Sequence, residues 1–171
     1  MVYSEVGHGT TFKIYLPATD DRPQGYKRDS GPEDSFRGTE TVLLAEDEEV
    51  VRKLVSQVLR IYGYKVLETS GGEAALLICK THPEPIHLLL TDVIMPAMSG
   101  RELSNHLTKL RPETKVIFMS GYTDTAIVYH GVLEEGANFI QKPFSTYDLA
   151  AKVREVLDKT ITDDEGVLAS V

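Results

Sequence analysis

The sequence predicts an α/β protein, a doubly wound sheet of five parallel strands with helices on both faces, within residues 40–160. Three observations predict it. Short apolar runs alternate five times with longer stretches of helical spacing, the pattern of βα units joined by right-handed crossovers. The third run, Ile86-His87-Leu88-Leu89-Leu90-Thr91, is nearly all apolar, as a central parallel strand covered on both faces must be. Charged and hydroxyl residues follow the runs, and sites in such sheets form outside the carboxyl ends of the strands.

Taken in order, Thr41-Val42-Leu43-Leu44-Ala45 is the first strand, and Val51, Leu54, Val55, Val58 and Leu59 then recur at helical spacing. Tyr64-Lys65-Val66-Leu67-Glu68 is the second strand. The helix from Glu73 to Lys80 follows, with Ser70 and Glu73 spaced for a capping box. After the third strand, Ser99 and Glu102 repeat that spacing before a helix through Leu110. Lys115-Val116-Ile117-Phe118-Met119 is the fourth strand, and a weak helix covers 125–134. Ala137-Asn138-Phe139-Ile140-Gln141 is the fifth strand. Ser145 and Asp148 cap a last helix whose buried face is Leu149, Val153, Val156 and Leu157.

Three shorter segments flank this body. Residues 1–17 hold two strand-like stretches, Val2-Tyr3-Ser4 and Thr11 to Leu16, joined by Gly7-His8-Gly9. Two short strands cannot bury a face alone, so this piece is the edge of something larger. Residues 18–39, punctuated by Pro23, Gly25, Gly31, Pro32 and Gly38, form a flexible linker. Residues 161–171 are a short tail, too short for a DNA-binding output domain.

Composition narrows the function. The 171 residues carry a net charge of −8, nearly all of it in the α/β body, which argues against a nucleic-acid partner. No apolar run approaches the roughly 18 residues of a membrane span, so no direct membrane contact is expected. The amino terminus has no signal-peptide pattern, and the expected location is cytoplasmic. The single cysteine, Cys79, lies among Leu76, Leu77 and Ile78 and reads as a small core residue with no base or cation to activate it. His8, His82, His87, His106 and His130 share no zinc spacing.

The residues behind the strands make a constellation. Strand one runs into Glu46-Asp47-Glu48-Glu49, strand three ends at Asp92, strand four at Ser120 and strand five at Lys142-Pro143. Oxygen donors without a thiolate or imidazole cluster suit a hard cation, Mg²⁺ before Ca²⁺. Asp92 is placed to act as a nucleophile and form an acyl phosphate. Lys142 would neutralise a transferred phosphoryl group, and the Ser120 hydroxyl would donate to one of its oxygens. Taken singly, Glu46, Asp47, Ser120 and Lys142 read as well as caps or surface residues, and Glu48 and Glu49 read as a solvated face. Together, at four strand ends, they read as a site.

Over residues 40–160 these motifs resemble the response regulator receiver domain of two-component signalling. Val42-Leu43-Leu44-Ala45-Glu46-Asp47-Glu48 is similar to its opening strand and acidic pair, and Asp92-Val93-Ile94-Met95-Pro96-Ala97-Met98-Ser99-Gly100 to its phosphoacceptor loop. Met119-Ser120-Gly121-Tyr122 matches the hydroxyl segment, and Phe139-Ile140-Gln141-Lys142-Pro143-Phe144 the lysine-proline segment. The resemblance implies a flavodoxin-like strand order of 2-1-3-4-5 and a phosphoryl group passed from a phosphohistidine to Asp92. It implies Mg²⁺ held by Asp47, Asp92 and the Ile94 carbonyl, with Glu46 helping through a water. Ser120 and Lys142 would hold the phosphoryl oxygens, and the Lys142–Pro143 bond is a candidate cis peptide.

Ser120 and Phe139 occupy the switch positions. Family members often have Tyr at the second, so a switch at Phe139 works by packing alone; on composition, Phe139 is simply core. Ile94, two residues after the nucleophile, screens attacking water without orienting it, which implies slow self-hydrolysis. Tyr122 either covers the pocket or packs on the surface, while Met95 and Met98 fill gaps. The implied chemistry is Mg²⁺-dependent self-phosphorylation and self-dephosphorylation.

Residues 3–17 resemble the last segment of a sensor histidine kinase ATPase domain, with Gly7-His8-Gly9-Thr10 similar to its final glycine-rich box. The phosphorylatable histidine segment and the asparagine box have no counterpart, so neither ATP binding nor ATP-dependent kinase activity is expected. The implied parent is a hybrid sensor kinase, which can be membrane-anchored. Its partner would be a histidine kinase or a histidine phosphotransfer protein, with receiver–receiver self-association a further possibility. Output would pass through the face of the weak helix, strand five and the last helix. Two rivals remain: a pseudo-receiver acting as a protein interaction module, and a phosphoester hydrolase, against which stand a nucleophile after strand three and the lack of a separate general acid.

Overall fold

A computed structural model describes residues 2–15, 33–121 and 137–159. The chain divides into two units, Met1–Gly31 and Pro32–Val171. In the first, β1 (Val2–Glu5) and β2 (Gly9–Phe12) pair antiparallel, with Val2 opposite Phe12 and Glu5 opposite Gly9. Gly7 and Gly9 take φ of +83° and +85°, the left-handed region that a glycine enters freely. The hairpin's side chains, Tyr3, Val6, Phe12 and Ile14 among them, are exposed, because two strands alone bury no face. The second strand begins at Gly9 and ends at Phe12, earlier than expected, since its ladder extends only as far as the four residues of β1.

The second unit contains β3 (Thr41–Ala45), α1 (Glu49–Ile61), β4 (Lys65–Thr69), α2 (Gly72–Thr81), β5 (Leu88–Asp92), α3 (Gly100–Leu110), β6 (Lys115–Ser120), β7 (Phe139–Gln141) and α4 (Thr146–Asp158). Its five strands lie in the order β4-β3-β5-β6-β7, all parallel, which is the 2-1-3-4-5 order expected. Alternation along the strands sorts the core into two layers. Val42, Leu44, Leu88, Leu90, Ile117 and Met119 pack with Val55, Leu59, Leu149 and Val153 of α1 and α4. Leu43, Ala45 and Leu89 face the opposite way, onto Ala75, Cys79, Leu103 and Leu107 of α2 and α3.

The helix starts largely follow the sequence. Ser99 with Glu102, and Ser145 with Asp148, form complete capping boxes at α3 and α4. The box expected from Ser70 and Glu73 does not form. Gly71 is the N-cap, without a side-chain cap, and Glu73 is the second helical residue rather than the third. The first turn of α2 is placed instead by packing, since a Cβ on Gly72 would stand 2.8 Å from Met98. Strand ends also shift: β4 begins after Tyr64, and β5 begins at Leu88 and includes Asp92.

Residues 33–39, expected in the linker, pack as part of the second unit. Phe36 ends a 3-10 helix (Glu33–Phe36), its ring edge-on to Tyr147 at 5.1 Å and 6.3 Å from Tyr62. The Tyr64 hydroxyl donates to the Phe36 carbonyl at 2.9 Å, and Gly38 N–H donates to the Tyr62 carbonyl. Gly63, at φ +96°, lies against the Gly38 carbonyl, where a Cβ would come within 2.7 Å. Arg154 then joins Glu40 at 2.9 Å and Asp158 at 2.8 Å.

Cys79 is buried, as expected, but a cation does stand near it: the Arg111 guanidinium donates to its carbonyl at 2.9 Å. Burial dominates and pushes the thiol up, with Arg111 opposing only in part. His87 is a structural acceptor, its Nδ1 taking the Thr41 N–H at 3.0 Å. The expected helix at 125–134, Tyr122, His130, residues 16–32 and the tail 161–171 lie outside the described residues. Among those described, no helix is long and apolar enough to cross a membrane.

Candidate functional site

Adjacent parallel strands end at one rim and carry their following residues there. The Thr69 hydroxyl donates to the Leu44 carbonyl at 2.9 Å, and Glu46 N–H donates to the Thr69 carbonyl, so the end of β3 is tied to that of β4. The chain leaves β3 with the Glu46 side chain only 1 % exposed and Asp47 exposed to solvent. Asp92 ends β5, half-buried. One carboxylate oxygen from each of Glu46, Asp47 and Asp92 can be chosen so that all lie within 4.8 Å of one another.

Lys142 completes the group from the far side of the sheet. Its Nζ donates to Glu46 Oε2 and to Asp92 Oδ2, each at 2.7 Å. Its backbone N–H donates to the Ser120 carbonyl at 2.6 Å, joining the ends of β7 and β6, and the Lys142–Pro143 bond is cis. Burial raises the Glu46 carboxyl above its ordinary range, with the Lys142 bond opposing and the Asp92 charge adding to the rise. Burial works downward on Lys142, but its hydrogen bonds to Asp92 and Glu46 outweigh it and hold the ammonium above its usual value. Lys142 is therefore charged at neutral pH, bridging the two carboxylates. Three carboxylates against one ammonium leave an excess of negative charge in an all-oxygen donor set, which suits a hard divalent cation.

The loop after β5 is fixed closely. Ile94 N–H donates to Asp92 Oδ1 at 3.3 Å, and the residue is 61 % exposed. Gly100 N–H donates to the Val93 carbonyl at 3.1 Å, and the Thr91 hydroxyl to the Asp92 carbonyl at 3.0 Å. Met95 is buried against α2 and α3 with Met98 packed beside it, both filling gaps as expected. Ser120 is buried at the end of β6. Phe139 lies opposite Phe118 in the sheet and packs, partly buried, with Phe118 and Val93.

Glu46, Asp47, Asp92 and Lys142 come together at this rim, with Ser120 at the end of the neighbouring strand and Phe139 in the sheet behind it, but sequence reasoning missed two residues that shape it. Arg52 Nη1 donates to the Glu46 carbonyl at 2.7 Å and the Asp47 carbonyl at 3.2 Å. The signal was an arginine near the start of a helix, where the helix dipole disfavours a cation. Gly100 is the other: the motif contained it, but nothing in the sequence showed how close it comes to Asp92.

The family profile of the response regulator receiver domain matches residues 42–154. Sensor kinase CckA of Brucella abortus (strain 2308) is 39 % identical over 163 residues, covering 91 % of this chain and 17 % of that protein. The chain thus spans about a sixth of that relative, and the match extends beyond the receiver residues. Response regulator receiver protein CpdR of the same strain is 33 % identical over 68 % of this chain and 95 % of its own. The crystal structure of the receiver domain from hybrid histidine kinase CckA superposes with a TM-score of 0.59 at 36 % identity, covering 68 % of this chain and 98 % of that one.

Proposed function

The chain belongs to the response regulator receiver domain family, and from that premise we propose that it accepts a phosphoryl group from a phosphohistidine onto Asp92 in a two-component phosphorelay. The observation that carries the reading is Lys142 bridging Glu46 and Asp92 at 2.7 Å beside Asp47, at the ends of three strands. The Asp92 carboxylate oxygen bonds to phosphorus as the N–P bond breaks and its electron pair returns to the imidazole nitrogen. Asp47, Asp92 and the Ile94 carbonyl would hold Mg²⁺, with Glu46 assisting through a water. Bound there, Mg²⁺ would neutralise charge on the transferred phosphoryl oxygens. Lys142 supplies a second positive charge, and the Ser120 hydroxyl donates to a phosphoryl oxygen. Hydrolysis reverses the modification when water attacks phosphorus, the acyl P–O bond breaks and the Asp92 carboxylate is regenerated.

The donor would be a histidine kinase or a histidine phosphotransfer protein. Residues 1–17 would be the end of a kinase ATPase domain, a reading supported by the sensor kinase whose similarity covers 91 % of the chain. Phe139 and Ser120 would carry the change outward, Phe139 by packing.

Intact mass after incubation with acetyl phosphate, with and without Mg²⁺ and beside Asp92→Ala, tests the proposal. One phosphoryl group added only when both Mg²⁺ and Asp92 are present supports it. A folded protein that stays unmodified by acetyl phosphate and by a phosphohistidine donor overturns it in favour of an interaction module.

A further inference from the structure

We infer that Arg52 is a positioning residue for the cation site, fixing the direction of the Asp47 carboxylate by holding the main chain on either side of it. The inference rests on the Mg²⁺-dependent reading above and concerns a residue outside the acidic cluster. Lys142 holds Glu46 and Asp92 by their side chains. Asp47, the exposed member of the three, is held through its backbone. A single Arg52 nitrogen donates to the carbonyl before Asp47, at 2.7 Å, and to its own carbonyl, at 3.2 Å. Two successive carbonyls pinned to one point fix the two peptide planes that meet at the Asp47 Cα, and with them the exit vector of the Asp47 side chain. Arg52 is itself anchored, its N–H donating to the Glu48 carbonyl at 2.9 Å.

Charge alone does not explain the residue. A cation near the start of α1 opposes the helix dipole. It also repels the dication that the neighbouring carboxylates would bind. The two accounts of Arg52 therefore predict opposite signs. If it contributed only charge, neutralising it would tighten Mg²⁺ binding. If it positions Asp47, neutralising it loosens binding despite the lost repulsion, by about 10-fold on the scale of an outer-shell partner.

The experiment is a Mg²⁺ titration of the whole chain, read from the amide NMR shifts of the acidic loop, for wild type, Arg52→Gln, Arg52→Lys and Asp47→Asn. Acetyl phosphate modification rates are measured against Mg²⁺ concentration in parallel. Arg52→Gln is expected to bind Mg²⁺ about 10-fold more weakly. Arg52→Lys, which keeps the charge but carries its donating nitrogen on a shorter side chain without the planar head, should fall between it and wild type. The rate deficit of both should close at saturating Mg²⁺, a split that a general loss of structure would not produce. Equal or tighter binding by Arg52→Gln overturns the inference, as does a lower maximal rate with unchanged affinity. Should Arg52→Gln fail to fold, Arg52→Lys decides: weaker binding supports positioning, and wild-type binding overturns it. Wild type that binds no Mg²⁺ overturns the proposed function and this inference with it, whereas a change in Arg52 alone leaves the function standing.

Discussion

Gly100 lies against the carbonyl of Asp92 so closely that a Cβ there would stand 2.1 Å from that oxygen and 2.9 Å from Thr91 Oγ1. The first residue of α3 thus sets the height of the Asp92 main chain, with Gly100 N–H bonded to the Val93 carbonyl. Any side chain at this position must push the end of β5 and the helix apart. We expect Gly100→Ala to cost about 1–3 kcal/mol, the range for forcing extra volume into a packed site. It should also slow modification of Asp92. Thermal unfolding and the acetyl phosphate rate check both, and a variant with wild-type values in each would show that the backbone yields without consequence.

Arg111 is a second staple, away from the site. It follows α3 and reaches across to the end of α2, donating to the carbonyls of Cys79 and Glu84, at 2.9 Å each, and of His82. Helix carboxyl ends leave carbonyls without partners, and a planar guanidinium can collect several at once. An ammonium cannot match that spread. Arg111→Lys is expected to lose about 1–3 kcal/mol, on the scale of charge-assisted hydrogen bonds left unmade. Urea unfolding measures it. Asp92 modification should be unchanged, and an equal midpoint for the two proteins would remove Arg111 from the account of stability.

Much of this architecture was legible in the sequence, for a physical reason. A parallel strand covered on both faces must be apolar throughout, and Leu88, Leu89 and Leu90 are all fully buried. Polar side chains at the ends of such strands then converge without any further information, which is why Glu46, Asp92 and Lys142 could be grouped before their distances were known. Contacts decided by close approach were not legible. Ser70 and Glu73 had the spacing of a cap, but Gly72 against Met98 sets the start of α2. Glycine and proline between residues 18 and 39 read as a linker, yet Phe36 finds two tyrosine rings and Gly38 a tyrosine edge, partners remote in sequence that no local pattern announces.

The contact between Glu40 and Arg154 makes stability depend on pH. Burial works to raise the Glu40 carboxyl, but the Arg154 hydrogen bond and backbone N–H groups outweigh it and hold it below the ordinary glutamate range. A carboxylate depressed in the folded state adds stability that is present above its unfolded pKa and lost as pH falls through its lower folded value. Glu40→Gln should therefore destabilise the protein at pH 7. The pair is neither fully exposed nor fully buried, so a loss of about 1–2 kcal/mol is expected. The gap from wild type should narrow as pH drops below the ordinary glutamate range. Melting temperatures across that interval decide it, and a gap independent of pH would mean that packing, not charge, is what the substitution removes.

Ile94 bears on how long a phosphoryl group would stay on Asp92. Its N–H donates to Asp92 Oδ1 at 3.3 Å, and the residue is 61 % exposed to the solvent from which a hydrolytic water must come. An aliphatic group there excludes water and offers it no hydrogen bond. Asparagine would fill less of the space and could accept a hydrogen bond from the incoming water, holding its oxygen toward phosphorus. Ile94→Asn is therefore expected to shorten the lifetime of the acyl phosphate, by about 10-fold if orientation of one water is the main gain. The substitution is at an exposed position, so the melting temperature should barely change. Decay of the phosphorylated mass after removal of acetyl phosphate measures the lifetime directly. Equal lifetimes for the two proteins would mean that the water reaches phosphorus along a path Ile94 does not guard.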